Sequence, residues 1–162
     1  MDARTAELVE HHAVCRLQTT YGDAVTRRAW DELAALFVPD APVTLDLRSG
    51  GLLQHTGGAE IAGFIAQAVE RFEFFEFALL NAVATIDPSL TTATGRMYIW
   101  EIRQQAGGPW TNAFGMYTDD YALVDGDWKF ASRRYATLAR SETEGPPLPS
   151  MAVFGVPGSP TP

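Results

Sequence analysis

The sequence predicts an α+β domain, three helices followed by a meander of long antiparallel strands, with the helices packed on one face of the sheet. Three observations predict it. Apolar residues recur at helical spacing through the N-terminal part of the chain. Long alternating stretches then follow, broken by short Gly- and Pro-containing turns. Within them, Asp125-Gly126 separates Tyr117–Val124 from Trp128–Arg134, and Asp-Gly between alternating apolar residues is the strongest short-range hairpin signal.

Each element has its own local cause. Residues 5–28 read as a helix because Leu8, Ala13 or Cys15, Leu17, Tyr21 and Val25 fall on one face. A short second helix, Trp30–Phe37, stops at Pro39-Asp40-Ala41-Pro42, where the residue before each proline is pushed out of the α region. Val43–Arg48 alternates as a strand, and Ser49-Gly50-Gly51 turns it into Leu52–His55. Gly57-Gly58-Ala59-Glu60 opens a third helix with Ile61, Phe64, Ile65 and Val69 on one face, and Glu60 complements its positive N-terminal end. Four strands follow at about 74–86, 92–104, 111–124 and 128–138, joined by Asp87-Pro88-Ser89, Ala106–Pro109 and Asp125-Gly126.

At 162 residues the chain is long enough for one domain with a sizeable core. A net charge of -8 disfavours nucleic acid and anionic membrane surfaces, which are bound mainly through Lys and Arg. No apolar run is long enough to span a membrane, and the N-terminus lacks the basic-then-apolar layout of a signal peptide. Cys15 is the single cysteine, so no internal disulfide forms, and a cytoplasmic location is expected. Three His and one Cys show no metal-ligand spacing. There is no phosphate-cradling glycine loop and no nucleophile elbow.

Gly115-x-Tyr117-x-Asp119, the turn, then Gly126-x-Trp128-Lys129-Phe130 and Arg133 resemble the last two strands of the SnoaL-like, nuclear transport factor 2-like family. That family of cone-shaped α+β proteins includes polyketide cyclases, scytalone dehydratase, lindane dehydrochlorinase and ketosteroid isomerases. Tyr21–Leu33 resembles its helix 1 to helix 2 segment, and Asp40-Ala41 and Gly57 fall where the family pattern has them. The resemblance covers roughly residues 6–140, which sets residues 1–140 as the cone domain and 141–162 as a Pro-rich tail. It implies a curved, mostly antiparallel sheet wrapped round a deep apolar pocket closed by helices 1 and 3, and commonly a homodimer.

Side-chain alternation turns that resemblance into expectations for individual residues. With Arg133 and Thr137 inward, Tyr135 is inward too. Tyr117 carries Gly115 and Ala113 with it, Trp100 carries Tyr98 and Arg96, and Phe77 carries Phe75 and Leu79. For Tyr117 and Arg133 to share a face, the last hairpin needs a three-residue loop or a bulge, a register that sets Asp119 opposite Arg133. The expected outward set is Phe114, Met116, Met97 and Ile99, whose cover a sheet-to-sheet homodimer supplies.

Many family members use a helix 1 Asp and a strand His for proton transfer. Here the matching positions are Thr26 and Phe77, neither of which is a base at neutral pH. Further polar positions of the dehydratase pocket correspond to Leu47, Gly115 and Tyr117, while Arg133 matches an Arg of the dehydrochlorinase. The expected catalytic groups are therefore Arg133, Tyr117 and Tyr98, which would polarise a carbonyl or hold an oxyanion. The expected substrate-binding residues are Tyr21, Thr26, Phe72, Phe75, Phe77, Trp100, Ala113 and Thr137. Two readings of Arg133 stand together: an oxyanion partner, and a cross-strand ion pair with Asp119. His55 is a candidate substitute base, and Asp23 either approaches the pocket floor or pairs with Arg27 one turn on. The expected ligand is a hydrophobic, polyketide-like small molecule, with no cofactor. An enzyme of the cyclase or isomerase kind, a non-catalytic ligand carrier and a structural partner subunit remain open.

Overall fold

The computed structural model describes residues 2–141 and the backbone of 151–153; the rest of the Pro-rich tail lies outside the described residues. Helix α1 spans Ala3–Arg27. It starts where the Asp2 carboxylate accepts the Thr5 N–H at 2.9 Å, which satisfies one of the amides that a helix start leaves free. Arg28 ends it in the left-handed region, at φ 59°. Its buried stripe, Val14, Leu17, Gln18, Tyr21, Gly22, Ala24 and Val25, has the three-and-four spacing of one helix face and packs on the sheet.

Helix α2 (Trp30–Ala35) and helix α3 (Gly57–Val69) lie against each other. A side chain at Gly58 would run into the Ala34 carbonyl, so glycine permits this close approach. At the start of α3 the Glu60 carboxylate reaches back and accepts the Thr56 N–H at 2.7 Å, which satisfies the amide at the helix N-cap.

The strands are β1 (Pro42–Asp46), β2 (Leu53–Thr56), β3 (Phe72–Ile86), β4 (Thr92–Gln105), β5 (Trp110–Val124), β6 (Asp127–Ser141) and β7 (Met151–Val153). They form one curved, unclosed sheet in the order β2-β1-β6-β5-β4-β3, with β7 also paired to β6. All pairings are antiparallel except β1 with β6. The turn at Asp125 and Gly126, with φ of 53° and 87°, is a two-residue loop closed by the Val124–Asp127 pair. The expected bulge lies beyond it. Asp120 faces Ser132 and Tyr121 faces Phe130, so Ala131 is the extra residue, and Asp119 stands opposite Arg133.

Strand β4 departs from expectation. Met97 faces Tyr117 and Ile99 faces Gly115, and both are completely buried, so they point inward. Tyr98 faces Met116 and Trp100 faces Phe114, which puts both on the outer face. There the Trp100 and Phe114 rings stack at 5.5 Å and 12°. The outer set is therefore Tyr98, Trp100, Phe114 and Met116. The physical reason is that residues 97–100 are apolar on both faces, so alternation marks no inner side.

Candidate active site

A cavity of about 270 Å³ lies between the concave face of the sheet and helices α1 and α3. Its apolar wall comes from α3 (Ile61, Phe64, Ile65) and from Phe72, Phe75 and Phe77 of β3. The Phe77 ring also sits against Gly22 of α1, which leaves it room. Tyr21, Ala113, Tyr117, Arg133 and Thr137 line the cavity as well. Of the residues expected there, Tyr98 and Trp100 lie outside, on the far side of the sheet. Thr26 is not part of the lining either. Its hydroxyl accepts the Phe77 N–H at 3.0 Å, so the two positions where the family dyad would stand are bonded to each other.

The floor is built on Arg133. Its Nε and Nη2 donate to the two oxygens of Asp119 at 2.7 and 2.8 Å, and both side chains are fully buried. Nη2 also meets the Met97 sulfur at 3.1 Å. The guanidinium carbon lies 4.0, 4.2 and 3.8 Å from the ring centroids of Tyr21, Tyr117 and Phe130. Nη1 has no hydrogen-bond acceptor among the described residues. Burial disfavours the charged guanidinium, but the adjacent Asp119 carboxylate outweighs it and drives the Arg133 pKa up. Asp119 in turn accepts the Tyr121 hydroxyl at 2.9 Å, and Tyr121 accepts Gln18 Nε2 at 2.8 Å. A charged pair is thus sealed beneath the cavity by a polar chain reaching α1.

Above it, Met97, Tyr117, Tyr135 and Leu45 stand opposite one another across β4, β5, β6 and β1. Burial raises the Tyr117 pKa well above the ordinary phenol value, with Arg133 pulling against it, and burial also raises Tyr21 and Tyr135. All three phenols stay protonated at neutral pH and are hydrogen-bond donors. The hydroxyl end of the Tyr135 ring lies over Gly115, with its oxygen 2.5 Å from where a side chain there would begin. Glycine at this position lets Tyr135 lean over the cavity.

Sequence reasoning missed the rim. Glu101 and Arg103 of β4, Arg71 and Arg140 all line the cavity. Arg103 Nη1 meets Glu101 Oε2 at 3.4 Å, and its Nη2 donates to the Asn112 carbonyl at 3.3 Å. Arg140 donates to the carbonyls of Leu47 and Arg48 at 2.9 and 3.2 Å, fastening the end of β1 to β6. Burial raises the Glu101 pKa while Arg103 pulls it down. The signal was present: once Met97 is inward, Glu101 must be inward too. His55 and Asp23 are not in the lining. His55 packs on Phe64 at 4.8 Å, and Asp23 pairs with Arg27 at 2.8 Å. Among the described residues no cluster of His, Cys, Asp or Glu could hold a metal, and no helix is long and apolar enough to cross a membrane.

The chain is thus a curved α+β cone whose concave side is closed by helices over a partly polar cavity. The SnoaL-like domain model matches residues 6–134, and the chain belongs to that family. Solved structures agree on the fold. A scytalone dehydratase candidate from Novosphingobium aromaticivorans is 23% identical, with a TM-score of 0.78 over 98% of this chain and 99% of that one. The hexachlorocyclohexane dehydrochlorinase LinA-type3 from Novosphingobium barchaimii is 19% identical, with a TM-score of 0.74 over 91% and 97%. An NTF2-like protein with a cystatin-like fold from Novosphingobium aromaticivorans is 21% identical, with a TM-score of 0.70 over 84% and 86%. No curated protein matches the chain.

Proposed function

We propose that this protein is a cofactor-independent enzyme of the cyclase, isomerase or lyase kind, acting on a hydrophobic, polyketide-like substrate. The observation that carries the reading is the Tyr21 and Tyr117 pair set over a sealed guanidinium at the floor of an aromatic-walled cavity. Phe72, Phe75 and Phe77 hold a flat ligand in one conformer, which lowers the barrier by restricting its motion. Tyr117 and Tyr21 donate to a carbonyl oxygen as negative charge builds on it. The Arg133 side chain is fully buried at the cavity floor, held by Asp119. It acts as a fixed positive charge behind the phenols, and Thr137 and Ala113 shape the wall above them.

The bidentate hold of Asp119 on Arg133 favours a second reading, a non-catalytic carrier of the same ligand. An open interior speaks against a purely structural subunit. We also assign a homodimer through the outer sheet face, where Trp100 and Phe114 stack.

Native mass spectrometry after exposure to an extract of the host, with Tyr117→Phe alongside, separates these readings. An enzyme retains a specific small molecule and converts it on prolonged incubation, and Tyr117→Phe slows the conversion. A ligand retained unchanged indicates the carrier, and no retained ligand removes both.

A further inference from the structure

The rim of the cavity carries positive charge that its apolar wall does not call for. We infer that the ligand of this cavity is an amphipathic acid, whose carboxylate is held at the rim by Arg71 and Arg103 while its apolar body lies against Phe72, Phe75 and Phe77. This rests on the hydrophobic-ligand reading above and names the chemical class of the ligand.

Two guanidinium groups converge on one ring. Those of Arg71 and Arg103 lie 4.9 and 5.5 Å from the centroid of Phe72, a buried residue of the cavity wall. Like charges brought to one apolar ring repel each other, and an anion between them relieves that repulsion. Arg71 is exposed at the rim and makes no hydrogen bond or ion pair among the described residues. Arg103 gives Nη1 to Glu101 at 3.4 Å and Nη2 to the Asn112 carbonyl at 3.3 Å, which leaves its buried Nε without an acceptor among the described residues. Each group therefore has a donor for a carboxylate, whose two oxygens match the planar guanidinium fork.

The sheet register sets the shape of that ligand. Met97 stands opposite Tyr117 at the floor, and Arg103, on the same inner face of β4, stands opposite Phe75. Six residues of β4 separate them, about 20 Å at ordinary strand rise, which the side chains reaching in from both ends shorten. Phe77 stands beside this path, opposite Glu101. An apolar body lying here has one end at the phenols and the other at the arginines.

Glu101 is the group that opposes an acid, because it lines the same cavity and occupies part of Arg103. Its hold is one long contact, and burial disfavours its ionised form, so it competes weakly for that guanidinium. In a chain of net charge -8 the positive rim is a local feature, and screening confines the repulsion of the remaining acidic residues to short range.

Isothermal titration calorimetry at neutral pH tests this with 2-naphthylacetate and 2-(2-naphthyl)ethanol, which share one apolar body and end in a carboxylate or a neutral hydroxyl. The wild type binds the acid about tenfold more tightly than the alcohol, and added salt shrinks that preference. Arg71→Gln and Arg103→Gln each weaken the acid about fivefold or more while changing the alcohol less than about twofold. Glu101→Gln, which removes the competing carboxylate, tightens the acid alone. Equal binding of acid and alcohol by the wild type overturns the carboxylate assignment and leaves the hydrophobic-cavity reading intact. So does an undiminished preference in Arg71→Gln, a variant with no hydrogen bond to lose among the described residues. Failure of both probes to bind overturns the hydrophobic-cavity reading and this inference together.

Discussion

Asp119 accepts from Arg133 twice and from Tyr121 once, with no solvent contact to replace any of these bonds. Removing it leaves a guanidinium uncompensated among three aromatic rings. Asp119→Ala is expected to cost about 3–5 kcal/mol, the usual loss when one member of a buried pair is deleted. Urea unfolding followed by tryptophan fluorescence measures this; a loss of about 1 kcal/mol or less would show that water reaches the pair.

Glu101 behaves in the opposite sense. Its folded pKa lies above the unfolded one, so below the ordinary glutamate value both states hold the proton and nothing is lost. As pH rises from there through the folded pKa, ionisation costs more in the folded state and stability falls. Glu101→Gln escapes that loss. Its stability relative to the wild type should grow across this window and then level off, as read from paired urea titrations at mildly acidic and neutral pH. A difference that stays flat would place Glu101 in water.

At the level of elements, the β5–β6 pair fixes the site through two irregularities. The bulge at Ala131 brings Arg133 onto the same face as Tyr117, and Gly115 makes way for Tyr135. Gly115→Ala should cost about 1–3 kcal/mol by overpacking and should displace the Tyr135 ring into the cavity. Thermal melting checks the first part, and loss of the ligand retained in native mass spectrometry checks the second; unchanged melting would show that the ring moves freely.

This hairpin was legible in the sequence because Asp125-Gly126 marks its turn, and because Tyr117 and Arg133 can share a face, as the family resemblance implies, only with a longer loop or a bulge. Strand β4 was not legible, because Met97, Tyr98, Ile99 and Trp100 are apolar on both faces and only pairing with β5 chooses between them. The same ambiguity hid Glu101 and Arg103, which become cavity residues only when Met97 does. Helix boundaries fared better, since Pro39 and Gly57 act locally, although the Asp2 cap that starts α1 at Ala3 went unread.

At the scale of the whole molecule, the outer face presents Tyr98, Trp100 and Phe114, with Phe74 and Trp110 beside them at 5.2 Å from each other. Phe74 is 41% exposed and Trp110 38%. The proposed homodimer would bury this surface, so light scattering should give twice the 17.7 kDa chain mass. Trp100→Glu, which puts a charge into the stack on each protomer, should return it to 17.7 kDa without unfolding. A wild type that is monomeric at micromolar concentration would refute the assignment.

The parallel pairing of β1 with β6 also has a consequence in time. Val43 finds its partner in Arg133, ninety residues later in the chain. At a synthesis rate of roughly 5–20 residues per second, β1 leaves the ribosome on the order of 5–20 s before that partner exists. During this interval β1 can pair with β2 and α3 can pack on α2, but neither has the long strands to close against. Each nascent copy therefore passes through a stage in which part of its future cavity wall waits uncovered for the strands that complete it.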